Sequence, residues 1–385
     1  MGRRADDPDV KASRNGNHPM SIDGIGRLLS GLPITYNGSK KKLFRWLASH
    51  VIPEIEGRDV AVDAFSGSGI VSTLLANSGL RVHACDALMS SYAMTVTLAC
   101  NPGETLSDED VDIVTSHRCV DGMLYEPGDG WLDGYGDIVD EFTGTFTRKE
   151  GLWVSRAKWK LDQLPIYERM IGYSALRGLT SIRPFGTPNG RSTFLHRIKQ
   201  KDTYRDGCLG HYLNSSYEIE MDRWFRSYVG KFNSAVARLS GSRAGSVIAH
   251  REDAIDMLSR LPMDEVDVVY CDPPYGGPGC RDYSIDYALH EAVLGGHPIG
   301  ASDFFTADGH AKNFSRMLDL IDSVPKIILS YNNKAWSDIG SISAMLQRRG
   351  YSVRVETTPF VHGKRTVSAF QNRVVENLII ATAER

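Results

Sequence analysis

The chain has 385 residues, 42% of them hydrophobic, with a formal net charge of −3 and six cysteines. That is enough apolar material for one large domain with an insertion, or for two domains. No apolar run approaches the ~18 residues of a membrane span. Cysteines 85, 100, 119, 208, 271 and 280 make no C-x-x-C pair, so neither a zinc site nor a disulfide framework is indicated.

Residues 1–17 are polar and lack the apolar segment of a signal peptide. Residues 1–20 are expected to form a disordered tail, in a protein of the reducing cytoplasm. Val60, Ala61 and Val62 read as a buried strand. Asp63-Ala64-Phe65-Ser66-Gly67-Ser68-Gly69 follows as a turn, and residues 70–76 as a helix ending near Gly79. Strand, glycine turn and helix in that order open the nucleotide-cradling unit of a doubly wound sheet. A dinucleotide fingerprint needs glycine at position 72, where this chain has Ser72, so NAD and FAD are disfavoured. A second strand over 80–84 ends at Cys85-Asp86, where an acid can take both ribose hydroxyls. By itself the glycine turn is equally read as a tight turn without a ligand.

From about residue 100 to 245 the α/β alternation is interrupted. Acids dominate from Glu104 to Glu141, with Arg118 the only Arg or Lys. Between Arg148 and Arg205, 13 basic residues face four acids, with Trp153, Trp159, Tyr167, Tyr173, Phe185, Phe194 and Tyr204 interleaved. Segregated basic charge is the usual footprint of phosphate contact, although a solvated basic face gives the same pattern. Residues 157–177 and 217–239 show helical spacing. Between them 183–191, rich in Pro and Gly, reads as a loop. Its Arg183, Asn189 and Arg191 are of the types that read base edges in the major groove.

The alternation resumes with a strand over 246–250 and another over 266–271, which ends at Asp272-Pro273-Pro274-Tyr275. At the carboxyl end of a strand, an aspartate and carbonyls without proline N–H partners can accept hydrogen bonds from a planar amino group. A neighbouring tyrosine can stack on the ring that bears it. Residues 276–310 are expected to form a mobile loop over this pocket, with Tyr283 and Tyr287 in it. Cys271 is read as a buried core residue, pointed away from Asp272 by strand alternation. Strands at 325–330, 351–356 and 374–382 follow, the last two suiting an antiparallel hairpin. Lys364 and Arg365, in their connector, are candidates for phosphate contact.

Asp272-Pro273-Pro274-Tyr275, Phe65-Ser66-Gly67-Ser68-Gly69 and the earlier Tyr36-Asn37-Gly38-Ser39-Lys40 stand in an order that resembles the Dam-like (D12 class) N6-adenine-specific DNA methyltransferases. The resemblance covers roughly 34–100 and 247–382. It implies a doubly wound, mostly parallel class I methyltransferase sheet with a closing antiparallel hairpin and an inserted, largely helical DNA-recognition lobe. It implies a catalytic domain from 30–100 and 246–385, with 101–245 as the target-recognition insertion. The donor is then S-adenosylmethionine, with no metal, held by Tyr36, Lys40, Asp63, Phe65, Ser66, Gly67, Gly69, Asp86, Asp253, Ala254 and Asp272. The catalytic residues are Asp272, Pro273 and Tyr275. Double-stranded DNA is the partner, contacted by Lys158, Lys160, Arg183, Asn189, Arg191, Lys364 and Arg365, with no membrane involved. A sequence-specific enzyme of restriction-modification type, acting on a flipped-out adenine, is the expected function. The alternatives are amino methylation of cytosine in DNA or of adenine in RNA, and a catalytically silent DNA-binding regulator.

Overall fold

The apolar runs become a seven-stranded sheet in the computed structural model, which describes residues 20–34, 40–116, 148–182, 216–243, 245–274, 287, 290–291, 293–295, 307–360 and 374–384. The strands are β1 (Val60–Asp63), β2 (Arg81–Cys85), β3 (Ser246–His250), β4 (Val268–Cys271), β5 (Lys326–Asn332), β6 (Tyr351–Phe360) and β7 (Val374–Ala383). Their order is β3-β2-β1-β4-β5-β7-β6, parallel except for β7, which runs antiparallel to both β5 and β6. This is the class I methyltransferase arrangement. The chain leaves β1 toward β2 on one side and returns as β4 on the other. The carboxyl ends of β1 and β4 therefore flank the switch point, where open α/β sheets bind ligands.

Strand alternation sends side chains to two cores. Ala61, Val82, Val268, Tyr270, Ile328 and Ile380 face one. Val62, Cys85, Val269, Cys271, Leu329 and Ile379 face the other, packed by α9 (Ala254–Arg260), α10 (Ala307–Leu320) and α11 (Ile339–Gln347). Cys271 thus lies opposite to Tyr270, as alternation requires. The first face carries α1 (Ile22–Gly31), α2 (Phe44–Ile55), α3 (Ile70–Asn77) and α4 (Met89–Thr95), which runs on into a π-helical turn, Val96–Cys100. The helices α1 and α2 have no counterpart in the sequence reading. The first carries three glycines and the second a proline, Pro53, in its last turn.

The described part of the insertion is helical: α5 (Asp108–Thr115), α6 (Arg148–Leu161), α7 (Ile166–Ile182) and α8 (Ser216–Ser240). The helical pattern read over 157–177 is two helices, not one. Pro165 has no N–H to continue the ladder and its ring would clash with the preceding turn. The chain turns at 162–165, and Arg169 N–H donates to the Pro165 carbonyl at 2.9 Å to start α7. Leu176, Phe225 and Phe232 are fully buried and belong to the same core as Leu74 and Leu98 of the sheet's own helices. These helices are joined to the sheet and its own helices through one continuous hydrophobic interior.

Candidate active site

Two groups of carboxylates stand at the carboxyl edge of the sheet. The first is built around β1 and β2. Asp63, the last residue of β1, is fully buried, and its Oδ2 accepts from Ser72 Oγ of α3 at 2.6 Å. This is why Ser72 stands where a dinucleotide fold has glycine. The other oxygen, Oδ1, is buried without a hydrogen-bond partner. Asp86, just beyond β2, accepts from Gly67 N–H and Leu88 N–H, both at 2.9 Å. Burial pushes both acids up to about 7. For Asp63 the neighbouring charges of Asp272 and Asp86 add to the rise, and for Asp86 that of Glu291 does.

The turn between them is held by backbone. Ser66 N–H donates to the Cys85 carbonyl at 2.7 Å, and Ala64 N–H to the Tyr270 carbonyl at 3.0 Å. Gly67 and Gly69 take positive φ, 52° and 70°. A Cβ on Gly69 would also lie 2.8 Å from the Thr95 Cα, so only glycine lets α3 start this close to α4. Ser66 Oγ and Thr95 Oγ1 are 2.9 Å apart across the same junction, and Phe65 is half-buried beside it. Asp253 caps α9, accepting from Ile255 N–H at 2.8 Å, with Ala254 buried behind it. Asp253 has a structural task whatever else it holds.

The second group surrounds Asp272, on the residue after β4. Lys40, in the helical turn Lys40–Leu43 that precedes α2, places its Nζ 3.0 Å from Asp272 Oδ1 and 2.7 Å from Glu376 Oε1. Lys40 is 5% exposed and Glu376 3%. Burial alone would lower the ammonium's pKa, but the two carboxylates outweigh it and hold Lys40 above the ordinary lysine range. Glu376 Oε1 also accepts from Ser330 Oγ of β5 at 2.8 Å. Lys40, which the sequence pattern implies as a donor ligand, is bound here to the acid of the other group. Burial and the nearby Asp272 push the Tyr270 phenol well up.

Glu376 and Ser330 escape the sequence reading, as does the bond from Ser72 to Asp63. A signal existed for Glu376, which interrupts the apolar run 374–380: a charge inside a buried strand requires a partner. Glu291 was also missed. It is 1% exposed and accepts from Met89 N–H at 2.7 Å and Ser90 N–H at 2.9 Å, satisfying the first turn of α4. The mobile loop expected over 276–310 mostly lies outside the described residues. Of those described within it, Tyr287, His290, Glu291, Val293 and Leu294 are buried and Gly295 is exposed.

The lysines assigned to DNA need correcting. Lys158 is 4% exposed and pairs with Asp162 at 2.6 Å. Lys160 is 3% exposed and donates to the carbonyls of Ile113, at 2.6 Å, and Ser116, closing the carboxyl end of α5. Both ammonium groups are spent inside the protein, so neither meets a phosphate from this position. Tyr36, Tyr275, Arg183, Asn189, Arg191, Lys364 and Arg365 lie outside the described residues.

A class I sheet with a glycine turn after β1 and an Asp-Pro-Pro segment after β4 defines a methyltransferase, and comparison with known proteins specifies which kind. Residues 36–118 match the family described as D12 class N6 adenine-specific DNA methyltransferase. A Type II methyltransferase, M2.HphI of Haemophilus parahaemolyticus, is 25% identical over 338 residues, covering 86% of this chain and 91% of the relative. The chain is a DNA methyltransferase, similar over residues 36–118 to the D12 class. No helix among the described residues is long and apolar enough to cross a membrane.

Proposed function

We propose that this enzyme transfers a methyl group from S-adenosylmethionine to the exocyclic N6 of an adenine flipped out of duplex DNA, at a specific sequence. The observation that carries the reading is the placement of Asp272 and Pro273 at the switch point, beside the acids at the carboxyl ends of β1 and β2. The first group suits the donor. Asp63 Oδ1, buried and without a partner, matches a cationic amino group, and Asp86 matches ribose hydroxyls. Phe65, Ser66, Gly67 and Gly69 shape the turn between them, and Asp253 and Ala254 stand one strand further on, where the adenine ring would lie. Bound there, S-adenosylmethionine supplies a methyl on a sulfonium, an electrophile that needs no metal.

The protein's own task is to make the amine nucleophilic. Its lone pair is delocalised into the ring. Hydrogen bonds from the amine to Asp272 and to the Pro273 carbonyl localise that pair and stabilise the positive charge that grows on nitrogen during attack. Tyr275 stacks on the base and fixes the angle of approach. Asp272 need not be a strong base, because the methylated ammonium loses its proton readily. A stacked base cannot reach this edge, so flipping is required. Residues 101–245 are assigned to target recognition, with Arg183, Asn189 and Arg191 on the base edges and Lys364 and Arg365 on phosphate.

Modified-base sequencing of DNA from a host that expresses the protein tests the reading. N6-methyladenine within one short motif is the expected result. N4-methylcytosine, or methylation confined to RNA, would replace it with the corresponding alternative.

A further inference from the structure

Resting on that reading, we propose that Glu376, on the closing antiparallel strand, is a positioning residue for methyl transfer: it holds the Lys40 ammonium against Asp272 and shares its charge. The strand geometry puts it there. Because β7 runs antiparallel to β5, its beginning lies at the carboxyl edge of the parallel strands, where Glu376 pairs in register with Asn332. Asp272, Ser330 and Glu376 therefore come from three neighbouring strands, with Lys40 lying across them from a segment 336 residues before Glu376 in sequence.

The distances indicate how the charge is divided. Lys40 Nζ is nearer Glu376, at 2.7 Å, than Asp272, at 3.0 Å. Two carboxylates thus face the one ammonium. Were Lys40 paired with Asp272 alone, the ammonium would compete with the incoming amine for the same acceptor. Glu376 draws it back while leaving it close enough to fix Asp272 in place. Ser330 Oγ holds the glutamate oxygen that does this, at 2.8 Å. A buried ion triple contributes little to stability compared with apolar packing. Its position against the catalytic acid supplies a reason for its presence that stability does not.

The test is a set of full-length variants assayed by steady-state methyl transfer to duplex DNA. Glu376→Gln keeps the shape and removes the charge. It should lower kcat about 10- to 100-fold, the scale of a small misplacement at the reacting centre, with KM for DNA and for S-adenosylmethionine within about twofold. Because Glu376 acts through Lys40, the pair Lys40→Met with Glu376→Gln should be no slower than Lys40→Met alone. Unchanged kcat in Glu376→Gln, a change confined to KM, or multiplicative losses in the double variant would each overturn the proposal. Asp272→Ala is measured in parallel. Turnover retained there would sink the proposed function itself, whereas a dead Asp272→Ala beside a normal Glu376→Gln sinks the role of Glu376 alone. Should Glu376→Gln give no cooperative melt, Ser330→Ala replaces it, because it frees the carboxylate on one side only. A few-fold loss in kcat at constant KM supports the role, and an unchanged kcat removes it.

Discussion

The two carboxylate groups lie along one sheet edge yet are built on opposite plans. Asp272 and Glu376 share a cation the protein supplies. Asp63 and Asp86 make no ion pair with a described residue, rely on hydroxyl and backbone donors, and are pushed up to about 7. The difference fits what each side receives. On the proposed reading, a donor that brings a positive sulfonium and an amino group supplies the cation that Asp63 and Asp86 lack among the described residues. A nucleobase is neutral and brings none, so the acid that meets it has its cation beforehand, in Lys40. The cation comes with the ligand on one side and from the protein on the other.

The largest effect that could break this contrast is at Asp272. Asp272→Ala should lower methyl transfer by about 10³-fold or more, the scale of losing a group that acts on transition-state charge. Donor affinity by calorimetry and DNA affinity by anisotropy should stay within a few-fold, since phosphate contacts supply most DNA affinity. A matching loss of donor affinity would show that the two sides are not separate.

At the other end, Asp86→Ala should weaken S-adenosylmethionine binding by about tenfold or more, since hydrogen bonds to charged groups contribute ~1.5–3 kcal/mol. Calorimetry that returned the original affinity would remove Asp86 from the donor site.

The raised acids give the contrast a pH signature. A carboxylate held near 7 in the free protein loses its proton when donor hydroxyl or amino groups favour the charged form. Binding therefore releases a proton, and donor affinity rises with pH by about tenfold per carboxylate between pH 6 and 8. The contribution of the same acids to the stability of the free protein runs the other way. Their folded pKa lies above the unfolded value, so that contribution is full below about pH 4 and lost as pH rises through 7. Calorimetry in buffers of different ionisation heat reads the proton directly, and a pH-independent affinity would mean that the acids are not completed by the donor.

The smallest effect concerns Lys160. Lys160→Ala should cost about 1–2 kcal/mol by uncapping α5, and lower Tm by a few degrees. The salt dependence of DNA binding should not change, because its ammonium is turned inward. A flatter salt slope would return Lys160 to the DNA face.

The elements legible in the sequence were those whose cause is local. Residues 268–271 are an apolar run into Asp-Pro-Pro-Tyr, and 80–84 lead into Cys85-Asp86, so strand ends and the carboxylates beside them could be placed from spacing alone. The pairing of Glu376 with Lys40 could not, because it depends on which strand closes the sheet and in which direction. Counting charges failed at Lys158 and Lys160 for a related reason. A basic stretch reports how many cations a segment has, and not which of them a helix turns toward its neighbours.

On the proposed assignment of 101–245 to target recognition, the continuous interior beneath that segment has a consequence for anyone wishing to redirect the enzyme to a new sequence. The insertion is not a cassette. Leu176 of α7 and Phe225 and Phe232 of α8 belong to the core that the sheet and its own helices share, and Gly178 lies against Pro33 and Tyr228 so closely that an added Cβ would sit 3.2 Å from each. A graft with its seams at 101 and 245 would exchange half of a fitted core for one shaped to another scaffold. Seams placed after α7 and before α8, so that only 183–215 is transplanted, leave those walls standing.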